Sequence, residues 1–336
     1  MTTKANETAK DASEFQAEHA SSRDACTKLQ NRPSILDACT SQMDVLLHDV
    51  MIEPVGFCNL HCKMCYTKQS SAVLDPAIIE HFIRGYLDAL PGPLRLYWIG
   101  RGEVTLYKHL APLVNLFSEV YPDRVSHLIQ TNGIKIAEAM QQVRRLDNVD
   151  VSVSLDGFEE TNDANRGKGT FEVIVSNIKQ LVAMGVRTRV QAILTPALVK
   201  RALEFETFVH GIAPGSNVQY LYPVTREDFE HANKETIIDP VLSRHDLAQV
   251  DEALDASAMA SIRASIDRLW RTRYVSISCD GIVYNCCEFQ VKIGMLDTCM
   301  ATIIDRVKDD NACKPCSLRK LCFPDHDLPA SNPVHA

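Results

Sequence analysis

No run of about 18 apolar residues occurs in this 336-residue chain, which excludes a membrane-spanning helix. The opening residues, MTTKANETAKDASEFQAEH, hold no apolar core segment. A secretory signal peptide is therefore excluded at this end, and a cytoplasmic protein is expected. Positive charge is scarce: 35 Lys and Arg stand against 43 Asp and Glu, a net charge of −8. A nucleic-acid partner would need clustered cations, so none is expected. No internal repeat is visible beyond a strand–helix unit.

What the chain does have is a real core composition and cysteine. Hydrophobic residues make up 46% and charged residues 23%, ordinary for a soluble globular protein. Twelve cysteines in a reducing compartment are not expected to form a disulfide framework. Three fall in 58–65 and seven in 279–322, and this clustering points to metal.

Residues 1–49 read as a polar tail plus one amphipathic helix over 33–48, with Pro33 near its start. From about residue 50, β-rich runs (50–55, 94–100, 125–130, 149–155, 186–194, 217–224) alternate with helical patterns such as 77–90, 109–121 and 171–185. That rhythm predicts a parallel α/β sheet, and six units predict a partial (β/α)6 TIM-like barrel over 50–225. An open doubly wound sheet has the same periodicity. Linking helices are expected over 226–272, including a long helical segment at 246–271. A small Cys-rich module follows at 273–325, opening with a hairpin turned at Asp280-Gly281, and a tail at 326–336.

Cys58-Asn-Leu-His-Cys62-Lys-Met-Cys65 is a C-x3-C-x2-C loop placed directly after the first strand. Three thiolates this close can hold three irons of a cubane that usually takes four cysteines. One iron is then open to a ligand, which is the logic of a catalytic metal site. A zinc site with His61 as fourth ligand is the alternative. The ends of the next strands carry Gly100-Arg-Gly102-Glu103-Val104-Thr105, then Gln130-Thr131-Asn132-Gly133, then Ser154-Leu-Asp156-Gly157 with Asn165-Arg166-Gly167. In (β/α) barrels, chemistry sits at these ends.

The cysteine spacing, the aromatic Tyr66 after it, and these motifs in this order resemble the radical S-adenosylmethionine (SAM) superfamily across roughly 50–325. The resemblance implies a [4Fe–4S] cluster on Cys58, Cys62 and Cys65 whose open iron chelates SAM. One electron then cleaves SAM to methionine and a 5′-deoxyadenosyl radical that abstracts a substrate hydrogen. It further implies SAM contacts for Tyr66, Gly100, Gly102, Glu103, Thr131, Asn132, Ser154, Asp156 and Arg166. Val104 replaces the family's usual proline in the glycine-rich motif.

Gly281-Ile-Val-Tyr-Asn-Cys286 and Cys313-x2-Cys316-x5-Cys322 resemble the SPASM/twitch modules that hold auxiliary iron–sulfur clusters. The cysteine expected about ten residues before the glycine is missing, as is one shortly after Cys322. The resemblance thus implies one auxiliary [4Fe–4S] cluster on Cys286, Cys313, Cys316 and Cys322, with Cys279 able to replace one of them. Zinc is again the alternative. Cys287 and Cys299 are left over as buried small hydrophobes or as hydrogen-atom donors to a substrate radical.

The expected reaction is dehydrogenation, epimerisation or C–C bond formation on a small biosynthetic molecule such as a sugar, aminocyclitol or nucleoside. The first 49 residues are too few for the extra winged-helix segment of many peptide-modifying members. A ribosomally made peptide is the second reading, and a non-catalytic iron–sulfur carrier or sensor the third. An external one-electron donor such as flavodoxin or ferredoxin is expected.

Overall fold

Strand and helix alternate from Asp49 onward in the computed structural model, which describes residues 49–221, 244–257, 262, 275–285 and 291–307. The barrel portion runs β1 (Asp49–Ile52), α1 (Pro76–Ala89), β2 (Leu94–Trp98), a short 3-10 turn (Val104–Leu106), α2 (Leu110–Val120), β3 (Val125–Thr131), α3 (Ile136–Met140) and β4 (Val149–Ser154). It continues through α4 (Glu159–Arg166), α5 (Thr170–Ala183), β5 (Arg187–Ile193), α6 (Pro196–Lys200), α7 (Ala202–Ile212) and β6 (Val218–Leu221). Beyond it lie α8 (Arg244–Ser257), β7 (Val275–Ile277), β8 (Ile282–Tyr284), β9 (Lys292–Met295) and α9 (Met300–Val307). The expected helix at 33–48, Cys286, Cys287, Cys313, Cys316 and Cys322 lie outside the described residues.

Local chemistry explains the clearest elements. Asp75 caps α1 by accepting from Ala77 N at 2.9 Å, and Pro76 opens the helix where its missing N–H costs nothing. Ile79, Phe82, Ile83, Tyr86 and Leu87 then recur at helical spacing on the buried face. The hairpin turn forms as the sequence predicts, with Gly281 at φ +79°.

The strand order is β6-β5-β4-β3-β2-β1-β7-β8-β9, with β1–β6 parallel throughout. Consecutive strands lie side by side with no reversal, which is barrel winding and not the doubly wound alternative. β7 pairs parallel with β1, and β8 and β9 follow antiparallel, so the C-terminal hairpin prolongs the barrel sheet.

The two sheet faces differ in chemistry. Ile52, Trp98, Ile129, Val151 and Val190 point at the helices and are fully buried. Trp98 Nε1 donates to His127 Nδ1 at 3.1 Å, and His127 Nε2 meets Ser118 Oγ of α2 at 3.1 Å. Burial lowers the His127 pKa to about 3, so its neutral form is built into the core.

An unfolded histidine takes up a proton near pH 6.5, while the folded one does not until about 3. Folding stability therefore falls as pH drops below about 6.5, by up to about 1.4 kcal/mol per pH unit from this group. Urea unfolding across mildly acidic pH should show a shallower loss for His127→Gln than for the natural chain.

Candidate active site

The cysteine loop is closed at its base. Gly56 N donates to Ala72 O at 2.9 Å and Ser70 N to Gly56 O at 2.7 Å, beside a Val55–Val73 bridge. Its far side is pinned by Asn165 of α4. Lys63 N donates to the Asn165 carbonyl at 2.9 Å, and Met64 N to its Oδ1 at 3.0 Å. Cys58, Cys62 and Cys65 are all half-buried.

Donors already face one of the sulfurs. Leu60 N lies 3.4 Å and Asn132 Nδ2 3.6 Å from Cys58 Sγ, while the Thr67 hydroxyl, which donates to Arg101 O, lies 3.2 Å from Cys65 Sγ and can accept from that thiol. Amide donors of this kind tune iron–sulfur clusters. Burial pushes the Cys62 thiol up to about 11, against the pull of Arg166, and also raises Cys58. Metal binding must therefore displace protons. His61, the possible zinc ligand, is exposed. Among the described residues, no three His, Cys, Asp or Glu side chains converge as ligands of one metal ion. Three thiols on one half-buried loop suit a cubane, which spreads its ligands over several irons.

Glu103, 3% exposed, organises the neighbouring strand ends. It accepts from Thr105 Oγ1 (2.7 Å), Thr131 Oγ1 (2.6 Å) and Asn132 N (2.7 Å). Two of the sequence motifs thus meet on one carboxylate. Asp156 does the same for the others. It receives Arg166 Nε at 2.8 Å, Ile193 N at 3.1 Å and Asn165 Nδ2. The guanidinium of Arg166 also sits near Cys62, close enough to oppose the rise of its thiol pKa.

Gly100 and Gly102 are needed for close approach. At Gly100 (φ +147°) a Cβ would fall 2.3 Å from Glu53 Cγ. At Gly102 it would fall 2.4 Å from Val55 O and 2.5 Å from Phe57 O, backbone atoms of the segment entering the cysteine loop. Gly102→Ala should shift that segment, cost about 1–3 kcal/mol, and lower the iron bound per chain after reconstitution. Thermal melts and iron assays of the two proteins check this.

Tyr66 is half-buried after Cys65, and Ser154 half-buried at the carboxyl end of β4. Cys299 lies elsewhere: its carbonyl accepts from Thr302 N and Ile303 N at the start of α9, whose Met300 side chain approaches Gly85 of α1.

Sequence reasoning named Cys279 as a substitute cluster ligand and the turn at Asp280, but missed Glu53 and the contacts that join the hairpin to this site. Glu53, fully buried beyond β1, takes both Nε contacts of Arg101 at 2.9–3.0 Å as well as its backbone N–H. Arg101 Nη2 reaches Asp280 and lies 2.8 Å from Cys279 Sγ, while Cys279 N donates to Glu53 at 3.0 Å. Burial pushes the Cys279 thiol up to about 12. Arg101 O accepts from Thr67 Oγ1, the group beside Cys65, so the clamp touches the cysteine loop. A charged residue inside the apolar run VMIEPV was the available signal.

The family model of the Radical SAM superfamily matches residues 52–200. A serine-type anaerobic sulfatase-maturating enzyme of Bacteroides thetaiotaomicron is 28% identical over 177 residues, 47% of this chain and 42% of that protein. The mycofactocin maturase MftC of Mycobacterium tuberculosis is 30% identical over 174 residues, 50% of this chain and 43% of that protein. The chain thus spans less than half the length of these curated relatives. Among solved structures, native anSMEcpe with bound AdoMet and a peptide aligns at TM-score 0.60, with 18% identity, over 82% of this chain and 88% of that one. That likeness establishes the fold.

Proposed function

We propose, starting from the radical SAM superfamily domain at residues 52–200, that the chain is a SAM-cleaving enzyme acting on a peptide. The observation that carries the chemistry is the cysteine loop held against α4, with Asp156–Arg166 beside it and Glu103 across from it. A radical SAM domain uses a [4Fe–4S] cluster and SAM, which when bound supply a carbon-centred radical for hydrogen abstraction.

The chain's own residues hold and orient. Cys58, Cys62 and Cys65 would ligate three irons. Arg166 uses Nε on Asp156, so the Nη edge of its fork is suited to a SAM carboxylate. Glu103 fixes Thr131 and Asn132, and Asn132 in turn faces Cys58.

The peptide reading replaces the small sugar, aminocyclitol or nucleoside expected from the sequence. Its support is that similar proteins are named as maturases of a sulfatase and of mycofactocin. What the radical does afterwards, dehydrogenation, epimerisation or C–C bond formation, belongs to this proposal, as does a flavodoxin or ferredoxin as electron donor. Anaerobic incubation with SAM, dithionite and candidate peptides, read by mass spectrometry, tests it. Cleavage of SAM without modification of any peptide argues for another substrate. No cleavage at all argues for the carrier or sensor.

One auxiliary [4Fe–4S] cluster on Cys286, Cys313, Cys316 and Cys322 completes the reading. Cys279 is the poorer candidate, enclosed by Arg101 and Ser70 at 3% exposure. Reconstituted protein should carry about eight irons per chain, and about four would remove the auxiliary cluster.

A further inference from the structure

The inner face of the barrel sets polar residues beside Met51, Leu128 and Ile193, and one of its charges has no partner among the described residues. Trp98, His127 and Tyr220 contact the helices, so residues of opposite parity on β2–β6 face the barrel centre. These inner positions include Tyr97, Gln130, Ser152, Ser154, Arg189, Gln191 and Gln219. A closed (β/α) barrel fills this space with branched apolar side chains. Here Tyr97, Gln130, Ser154, Arg189 and Gln219 stay half-exposed, so the centre is open.

At the amino end, the inner charges cancel across neighbouring strands. Asp49 pairs with Arg95 at 2.7 Å, and Asp150 with Arg187 at 2.7 Å. Arg189, the next inner residue of β5, has no ion pair or hydrogen bond among the described residues, and its Nε is buried. Ser152 Oγ, at the position opposite it on β4, is likewise buried and unpartnered. So are Gln191 Oε1 and Gln219 Oε1, which face each other across β5 and β6. Leaving such groups unpaired costs about 1–3 kcal/mol each, and more for a charge. These four orphans lie at adjoining positions on three successive strands.

We propose that this inner wall is a substrate subsite. Arg189 and Ser152 take a carboxylate, and the amide oxygens of Gln191 and Gln219 take N–H donors beside it. This rests on the peptide reading and names the feature recognised: a carboxylate, from an acidic side chain or a free C-terminus. Arg189 lies two residues below Gln191, which is level with Ser154, so a carboxylate there sits about 7 Å beneath the Ser154 level.

The test uses the full chain, anaerobically reconstituted, with SAM. Four pools of N-acetylated hexapeptides are offered: with or without Asp and Glu, each as free acid or C-terminal amide. Retained peptides are counted by mass spectrometry. Pools bearing a carboxylate should be retained at least about tenfold over the amide pool without one, a difference of about 1.4 kcal/mol. Preference for the free acids identifies the C-terminus, and preference for Asp and Glu the side chain.

Arg189→Leu should lose the preference and Arg189→Lys keep part of it, with circular-dichroism melts to verify folding. Equal retention of the neutral pool, or a preference that survives in Arg189→Leu, overturns the subsite and leaves the peptide reading standing. Retention of no pool overturns the peptide reading. The subsite is then judged by fluorine NMR of trifluoroacetate. Broadening that disappears in Arg189→Leu upholds it, and identical spectra refute it.

Discussion

Cys62→Ala should reduce 5′-deoxyadenosine formation from SAM to the level of a protein-free control. Cys62 stands between Cys58 and Cys65 on a loop fixed at its base by the Gly56–Ser70 hydrogen bonds and at its side by Asn165. No fourth cysteine in the loop could replace it. Two thiolates cannot hold three corners of a cubane, so the open iron is lost with the ligand. Lys63→Ala is the control. Lys63 meets Asn165 through its backbone N–H and its side chain is exposed, so the loop should keep its shape and iron. Chromatography of the nucleoside product and an iron assay compare the three proteins.

Glu53→Ala should cost about 3–5 kcal/mol of folding stability, because it leaves the buried guanidinium with Asp280, itself 42% exposed, as counter-charge and strips the acceptor from Arg101 N and Cys279 N. The side chains of Glu53 and Arg101 are 0% and 5% exposed, and Glu53 also accepts from Cys279 N. Replacing both, as Glu53→Leu with Arg101→Met, should recover much of that loss, since apolar residues of similar volume leave no uncompensated charge. Urea unfolding of single and double variants reads the difference. Single variants within about 1 kcal/mol of the natural chain would show that the clamp is solvated and does not hold β7 to the barrel.

Much of the site was legible because its residues act through local spacing. The cysteine loop sets three thiols within eight residues, and the fold brings the other motifs beside it. Gly100 and Gly102 are glycines because Glu53 and the 55–57 backbone leave no room for a Cβ. Asp156, Asn165 and Arg166 form one network within a short loop and helix. α4 itself escaped notice, since EETNDANR has no apolar stripe. It is held by polar contacts instead: Asn162 Nδ2 donates to Thr170 Oγ1 at 2.9 Å, and Asp163 accepts from Phe171 N at 2.9 Å. β9 is four residues long, too short for any period to show.

The contact that joins Glu53, Arg101 and Cys279 was hidden for a different reason. Their partners lie 48 and 226 residues apart in the chain, so only the fold brings them together. The polar wall around Arg189 was hidden likewise. Alternation in RTRVQAI is visible in the sequence, but which half faces inward depends on where the helices pack.

The most direct test of the radical reading is one anaerobic assay of the reconstituted natural chain with SAM and dithionite. Methionine and 5′-deoxyadenosine should appear in equal amounts, with formation dependent on bound iron. Protein fully loaded with iron and sulfide that leaves SAM intact would contradict it.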